Sequence, residues 1–221
     1  GLTNYPVINT GSTTPTPLCA NISIASGARI DLQIGGKMKI SGAISTASGA
    51  VFNALDGTIE LAGSAPQTIA AGSFQNNNLR NLIINNASVT LGDSLNLFGK
   101  LSFSGSNRTL NATNGKLTLK STATLTASVA DMTKDINTQA VISGNQITGD
   151  VTVERYISAR KAWRLLSMPT KHNLQTIQQS FQENGVQGAN PVPGYGTILG
   201  SNRASWLTDG FDVNSPGATI Q

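Results

Sequence analysis

Between residues 21 and 128, apolar side chains recur two positions apart, and each pair follows a turn residue. Ile22 and Ile24 open the series, and Ile30, Leu32 and Ile34 follow with Arg29, Asp31 and Gln33 in their company. Met38/Ile40, Ile59/Leu61, Leu82/Ile84, Val89/Leu91, Leu95/Leu97, Leu101/Phe103 and Leu117/Leu119 continue it. A period of two puts the apolar members of each segment on one face of a strand and the polar members on the other. The three-and-four spacing of a helix is absent from this stretch. The pattern therefore predicts many short strands.

The segments also resemble one another. Gly36-Lys37-Met38-Lys39-Ile40, Gly57-Thr58-Ile59-Glu60-Leu61, Gly99-Lys100-Leu101-Ser102-Phe103 and Gly115-Lys116-Leu117-Thr118-Leu119 share one mould. Such self-similarity points to a solenoid, in which a coil buries its apolar face by stacking on its neighbours. A β-sandwich also shows short strands between turn signals. The small aliphatic inward residues and the Asn-rich corners at Asn76-Asn77-Asn78 and Asn85-Asn86 favour the solenoid, because Asn tolerates left-handed backbone.

The pattern changes at both ends. Residues 1–20 carry Pro6, Pro15 and Pro17 among Thr, Ser and Gly and read as a lead-in linker. From Asp131 to Gln139 the chain is polar and reads as a connection. Asp150–Ile157 and Trp163–Met168 then read as strands. Leu174, Ile177 and Phe181 form a helical stripe over Asn173–Asn184, with Asn173 as cap and Gly185 as stop. The expected architecture is all-β: a parallel β-helix or β-solenoid over 21–139, followed by a β-rich, sandwich-like domain over 140–221, incomplete here. The C-terminal sequence has no closing logic, and Gly1 reads as a mature start or a cut, so a fragment of a longer protein is expected.

Composition sharpens this picture. Charged residues make up 12% of the 221 and aromatics 5%, and 12% is about half the usual charged share. A chain so poor in Glu and Lys is a poor source of helical surfaces. The net charge of +4 is thinly spread, which argues against nucleic acid as a partner. The densest basic cluster, Arg155, Arg160, Lys161 and Arg164, reads as a solvated edge. Cys19 is the single cysteine, which excludes an intrachain disulfide and a thiolate metal site. No apolar run approaches membrane-spanning length.

The run Gly57–Ile69, with Asn81–Asn86 and Val89–Leu91, resembles the repeats of large secreted proteins of Bacteroidetes-type bacteria. So does Val151-Thr152-Val153-Glu154-Arg155-Tyr156-Ile157 followed by Ala162-Trp163-Arg164-Leu165-Leu166-Ser167, a motif that typically follows those repeats. The resemblance covers about residues 21–170. It implies export to the cell surface or medium, often through the type IX secretion system, with translocon and shuttle components as transient partners. It also implies adhesin-like or structural roles and brings no catalytic residue with it. The sorting domain that closes such proteins has no counterpart in these residues.

Candidate chemistry is sparse. His172 is the only histidine and reads as a loop or cap residue. Asp56 and Glu60 are the closest carboxylates within the repeats, and turn and surface duty explain both; glycoside hydrolysis would need a pair flanking one bond. Asp209 and Asp212 are too few to specify calcium. No catalytic residue, metal site or cofactor is expected, and the chain is read as a non-enzyme. Asp93-Ser94-Leu95 fits the short pattern at which such bacteria attach O-glycans, making Ser94 a candidate modification site. The sequons at Asn21, Asn86, Asn107 and Asn111 carry little weight in a bacterium. The leading expectation is a secreted or surface-displayed stalk or adhesin with a glycan or surface-protein ligand. The alternative is a carbohydrate-binding accessory module of a secreted polysaccharide-degrading enzyme. Its stacking residues would be Tyr156, Trp163, Tyr195 and Trp206.

Overall fold

The computed structural model describes residues 7–9 and 16–156, together with the backbone of 182–184 and 191–193. The chain divides into two units, Gly1–Arg160 and Lys161–Gln221.

The first unit is a parallel β-solenoid of about five turns, and no α-helix occurs among the described residues. Each turn visits three faces in order. The first face stacks β1 (Val7–Ile8), β4 (Arg29–Leu32), the start of β7 (Val51–Leu61), the start of β9 (Asn78–Ile84), β11 (Leu95–Leu97), β14 (Leu117–Leu119) and β17 (Val151–Val153). The second stacks β2 (Leu18–Cys19), β5 (Lys37–Ile40), the ends of β7 and β9, β12 (Lys100–Phe103) and β15 (Ser128–Val129). The third holds β3 (Ile22–Ile24) on β6 (Ile44–Thr46), and separately β8 (Gln67–Ile69), β10 (Ser88–Leu91), β13 (Thr109–Asn111) and β16 (Gln146–Thr148). Every pairing within these three faces is parallel. The backbone groups of one coil are thus satisfied by the next, which is what lets very short strands persist.

Register explains the core. Met38 lies beside Ile59, Ile59 beside Leu82, and Leu82 beside Leu101. Stacking in register makes each inward position a column of aliphatic side chains, and all three later members of this column are fully buried. Phe52 and Phe74, 5.2 Å apart between ring centroids, pack together in the interior. The corners between faces are tight for a stated reason. A Cβ on Gly36 would sit 2.3 Å from the carbonyl oxygen of Ile8, and one on Gly57 would sit 2.5 Å from the Cβ of Leu32. Glycine lets the backbone of one coil lie directly on the coil beneath.

The predicted solenoid is the observed one, and every predicted apolar pair from Met38/Ile40 to Leu117/Leu119 is buried. Several details differ. Ile34 is 79% exposed, because β4 ends at Leu32 and the next residues turn the corner. Asn76 and Asn77 take the left-handed backbone expected of them, with φ of 53° and 55°. Asn85 and Asn86 do not; they hold their corner through side-chain hydrogen bonds. Coil pairing also reaches beyond 21–139 on both sides: β1 and β2 fall within residues 1–20, and β16 and β17 follow residue 139. Val151 and Val153 pack against the core and Thr152 continues an outer polar column, so this strand extends the solenoid.

In the second unit, β18 (Gln182–Asn184) pairs antiparallel with β19 (Pro191–Pro193). The expected helix therefore does not reach Asn184. Its apolar stripe ends at Phe181, and only Gly185 as a stop had carried it further. The rest of that helix, and the expected strand at Trp163–Met168, lie outside the described residues.

Candidate functional site

The second face carries the most developed polar cluster. Lys39, Glu60, Ile83 and Ser102 form one outward-pointing row across β5, β7, β9 and β12. Yet Glu60, Ile83 and Ser102 are each less than 10% exposed. They are covered because residues 130–145, between β15 and β16, form a strap across this face. Its anchors lie far away in sequence. The amide of Ile136 donates to the carbonyl of Phe103 at 3.0 Å, and Lys37 Nζ donates to Asn137 Oδ1 at 3.1 Å.

Asp135 fixes the strap. Its carboxylate accepts the amides of Gly105 (2.6 Å), Asn137 (2.8 Å) and Thr138 (2.9 Å) and the hydroxyl of Ser104 (3.0 Å). Burial alone would raise its pKa. The four donors outweigh burial and bring it down to about 2. Glu60 follows the same logic. Burial opposes its charge, but Lys37 Nζ at 2.7 Å, the side-chain amide of Asn85 at 2.7 Å and Lys39 Nζ at 3.3 Å hold its carboxyl below the ordinary range. A carboxylate locked between two ammonium groups and covered by a strap is a structural ion pair. Asp56, its nearest carboxylate in the repeats, is exposed at the bend of β7.

A second polar network seals the corner between the second and third faces. Gln67 donates to the carbonyls of Ile40 (3.2 Å) and Gly42 (2.8 Å). It accepts the amide of Gly63 and the side-chain amide of Asn86, both at 2.9 Å. Asn86 is fully buried and also donates to the carbonyls of Gly63 and Ala65, so its sequon is inaccessible in the folded chain.

The corner between the first and second faces behaves differently. Between β11 and β12 it takes residues 98–99, but between β14 and β15 it takes residues 120–127. The longer corner rises as a loop closed by a Ser121–Thr126 bridge. It walls a cleft of about 380 Å³ lined by Arg80, Asn81, Phe98, Gly99, Lys100, Thr124, Leu125, Thr126 and Ser128. Gly99 belongs here for a steric reason: a Cβ would meet Asn81 Oδ1 at 2.4 Å and the carbonyl of Arg80 at 2.6 Å. Phe98 is partly exposed and Lys100 exposed. No carboxylate among the described residues pairs with Arg80 or Lys100.

Ser94 lies in the exposed corner 92–94 between β10 and β11. Its amide donates to Asp93 Oδ1 at 2.7 Å, and Asn77 Nδ2 donates to both Asp93 Oδ2 and Ser94 Oγ at 3.3 Å. Tyr156 is 54% exposed, and its amide donates to Ser121 Oγ at 2.9 Å. Trp163, Tyr195 and Trp206 lie outside the described residues, as do His172, Asp209, Asp212, Arg160, Lys161 and Arg164. Of the four expected stacking residues, only Tyr156 therefore falls among the described residues. Cys19 is half-buried, and burial pushes its thiol pKa up. Among the described residues no group of three His, Cys, Asp or Glu side chains could hold a metal ion, and no helix is long and apolar enough to cross a membrane.

Of these features, the cleft and the strap escaped sequence reasoning. The cleft had one sequence signal, the long gap in the apolar pattern after Leu119. Comparison of the chain with known protein families, curated proteins and solved structures found no match. What the structure itself fixes is the β-solenoid.

Proposed function

We propose that this chain is a non-catalytic stalk or adhesin segment, displayed at a bacterial cell surface or released from it. The observation that carries the reading is the parallel stacking of the first unit, continuous along its first face from β1 to β17. Each coil adds about 4.8 Å along the stack, so the solenoid advances by roughly 25 Å over about five turns. Its interior is aliphatic, while Asn53, Asn78, Asn96, Thr118 and Thr152 line an outer face with amides and hydroxyls. Such a surface stays hydrated, and the stacked backbone offers proteases few open strands. Spacing and display are what this arrangement does well.

Export is supported by the resemblance of Gly57–Ile69 and of Val151–Ile157 to repeats of secreted Bacteroidetes-type proteins. Type IX secretion components are then the transient partners. Antibodies raised against residues 16–156 test the reading in the organism that carries the gene. They should label intact cells or the culture medium without permeabilisation. Labelling that requires permeabilisation refutes surface display.

A further inference from the structure

We propose that the cleft walled by residues 120–127 is a binding site for an acidic saccharide, carboxylated or sulfated. This names the ligand class of the adhesin reading and rests on it.

Three chemistries converge in the cleft. Arg80 and Lys100 come from adjacent coils and line the cleft together with the partly exposed Phe98. Thr124, Thr126 and Ser128 add hydroxyl-bearing side chains to the lining, with Ser128 beside Lys100 on the next coil. Arginine offers a planar fork that matches a carboxylate or sulfate, and lysine adds a point charge. The remaining basic side chains of the second face are committed: Lys37 and Lys39 hold Glu60. In the 120–127 corner itself, Lys120 holds Glu154. Arg80 and Lys100 have no such carboxylate among the described residues, so their charge is available to a ligand. An aromatic ring suits the apolar face of a pyranose, and the hydroxyls suit its equatorial oxygens. The cleft volume of about 380 Å³ falls within the roughly 300–1,000 Å³ typical of small-ligand sites.

The insertion makes the site. At the corner below, Phe98-Gly99 passes from β11 to β12 with no wall beside it. Only where residues 120–127 project does the ledge become a cleft. Outside it, Asn78, Asn96 and Thr118 continue as a polar column on the first face, along which a longer chain could lie. A single-stranded nucleic acid would also use cations and an aromatic ring. It calls, however, for a basic groove that tracks a backbone over several nucleotides, whereas here the cations are two and the adjoining column is uncharged.

The test is calorimetric titration of the full 221-residue chain with four probes. These are an oligogalacturonate hexamer, a sulfated galactan oligosaccharide, cellohexaose and an oligothymidylate. Either acidic sugar should bind, cellohexaose should bind at least tenfold more weakly, and added salt should weaken the interaction. Arg80→Gln, Lys100→Gln and Phe98→Ala should each reduce affinity at least fivefold, while Lys134→Gln should not. In the unaltered chain, amide NMR shifts on titration should centre on residues 80–81, 98–100 and 124–128, which keeps the test valid if a variant fails to fold. Equal binding of cellohexaose, preference for the oligothymidylate, shifts centred elsewhere, or no binding of either acidic sugar overturns the proposal. Surface labelling is read independently, so failure here with labelling intact removes the ligand and leaves the display reading.

Discussion

Replacing Asp135 by Asn keeps the side chain's size and one acceptor oxygen but removes the charge on which four donors converge. The lowered pKa sets the scale. A drop from 3.8 to about 2 converts to about 2 kcal/mol at about 1.36 kcal/mol per pH unit. The strap faces water on its outer side, and screening there reduces the effect, so the expected loss at pH 7 is about 1–2 kcal/mol. The sign of the pH dependence follows. A carboxyl whose folded pKa lies below its unfolded value stabilises the fold fully above the unfolded pKa, near 4, and loses that contribution as pH falls towards 2. Urea denaturation of both proteins at several pH values reads this directly. The difference should be constant from pH 7 to about 5, shrink below pH 4 and nearly vanish at pH 2. Hydrogen exchange should locate the damage at the amides of Gly105, Asn137 and Thr138. Equal stability of the two proteins at pH 7 would refute the reasoning, and so would a difference that persists unchanged at pH 2.

Two further substitutions probe the coil stack. Glu60→Gln leaves Lys37 and Lys39 facing a neutral amide and should cost about 1–3 kcal/mol at pH 7, with the deficit fading as pH drops through the carboxyl range; denaturant midpoints that match the parent protein would contradict the ion-pair assignment. Gly57→Ala places a methyl 2.5 Å from the Leu32 Cβ, and overpacking of this kind costs about 1–3 kcal/mol; an unchanged melting temperature would show that the corner relaxes freely.

Much of the solenoid was legible because its signal is local. Leu95 and Leu97 alternate with a polar neighbour, and their partners Leu117 and Leu119 repeat the same alternation one coil later. The strand β7 was only half visible. Ile59/Leu61 gave its second half, but Phe52 and Ala54 precede an Asp56-Gly57 bend that reads as a turn between separate strands. The strap was invisible for a different reason. Its residues are polar, and the groups that bury Asp135 lie about 30 positions back, with the Lys37 contact 100 positions away. A stretch whose partners are that remote looks like a linker. This is also why the repeats seemed to end at 139. The cleft shares the difficulty: Arg80, Phe98 and Lys100 are unremarkable singly, and only stacking and the neighbouring insertion bring them to one place.

The strap has a consequence for cooperativity. In a simple stack each repeat touches only the ones beside it, so stability is close to a sum of neighbour terms, and loss of structure can creep inward from an end. A segment leaving β15 that bonds to β12 and reaches back to Lys37 on β5 breaks that locality. Fraying of any strand between β5 and β15 must either stretch the strap or release it, and release exposes Glu60 and Ile83 together. The coils beneath it are thereby coupled into one block that yields at a single threshold, much as a binding strap makes a pile of boards fail together instead of shedding them one at a time.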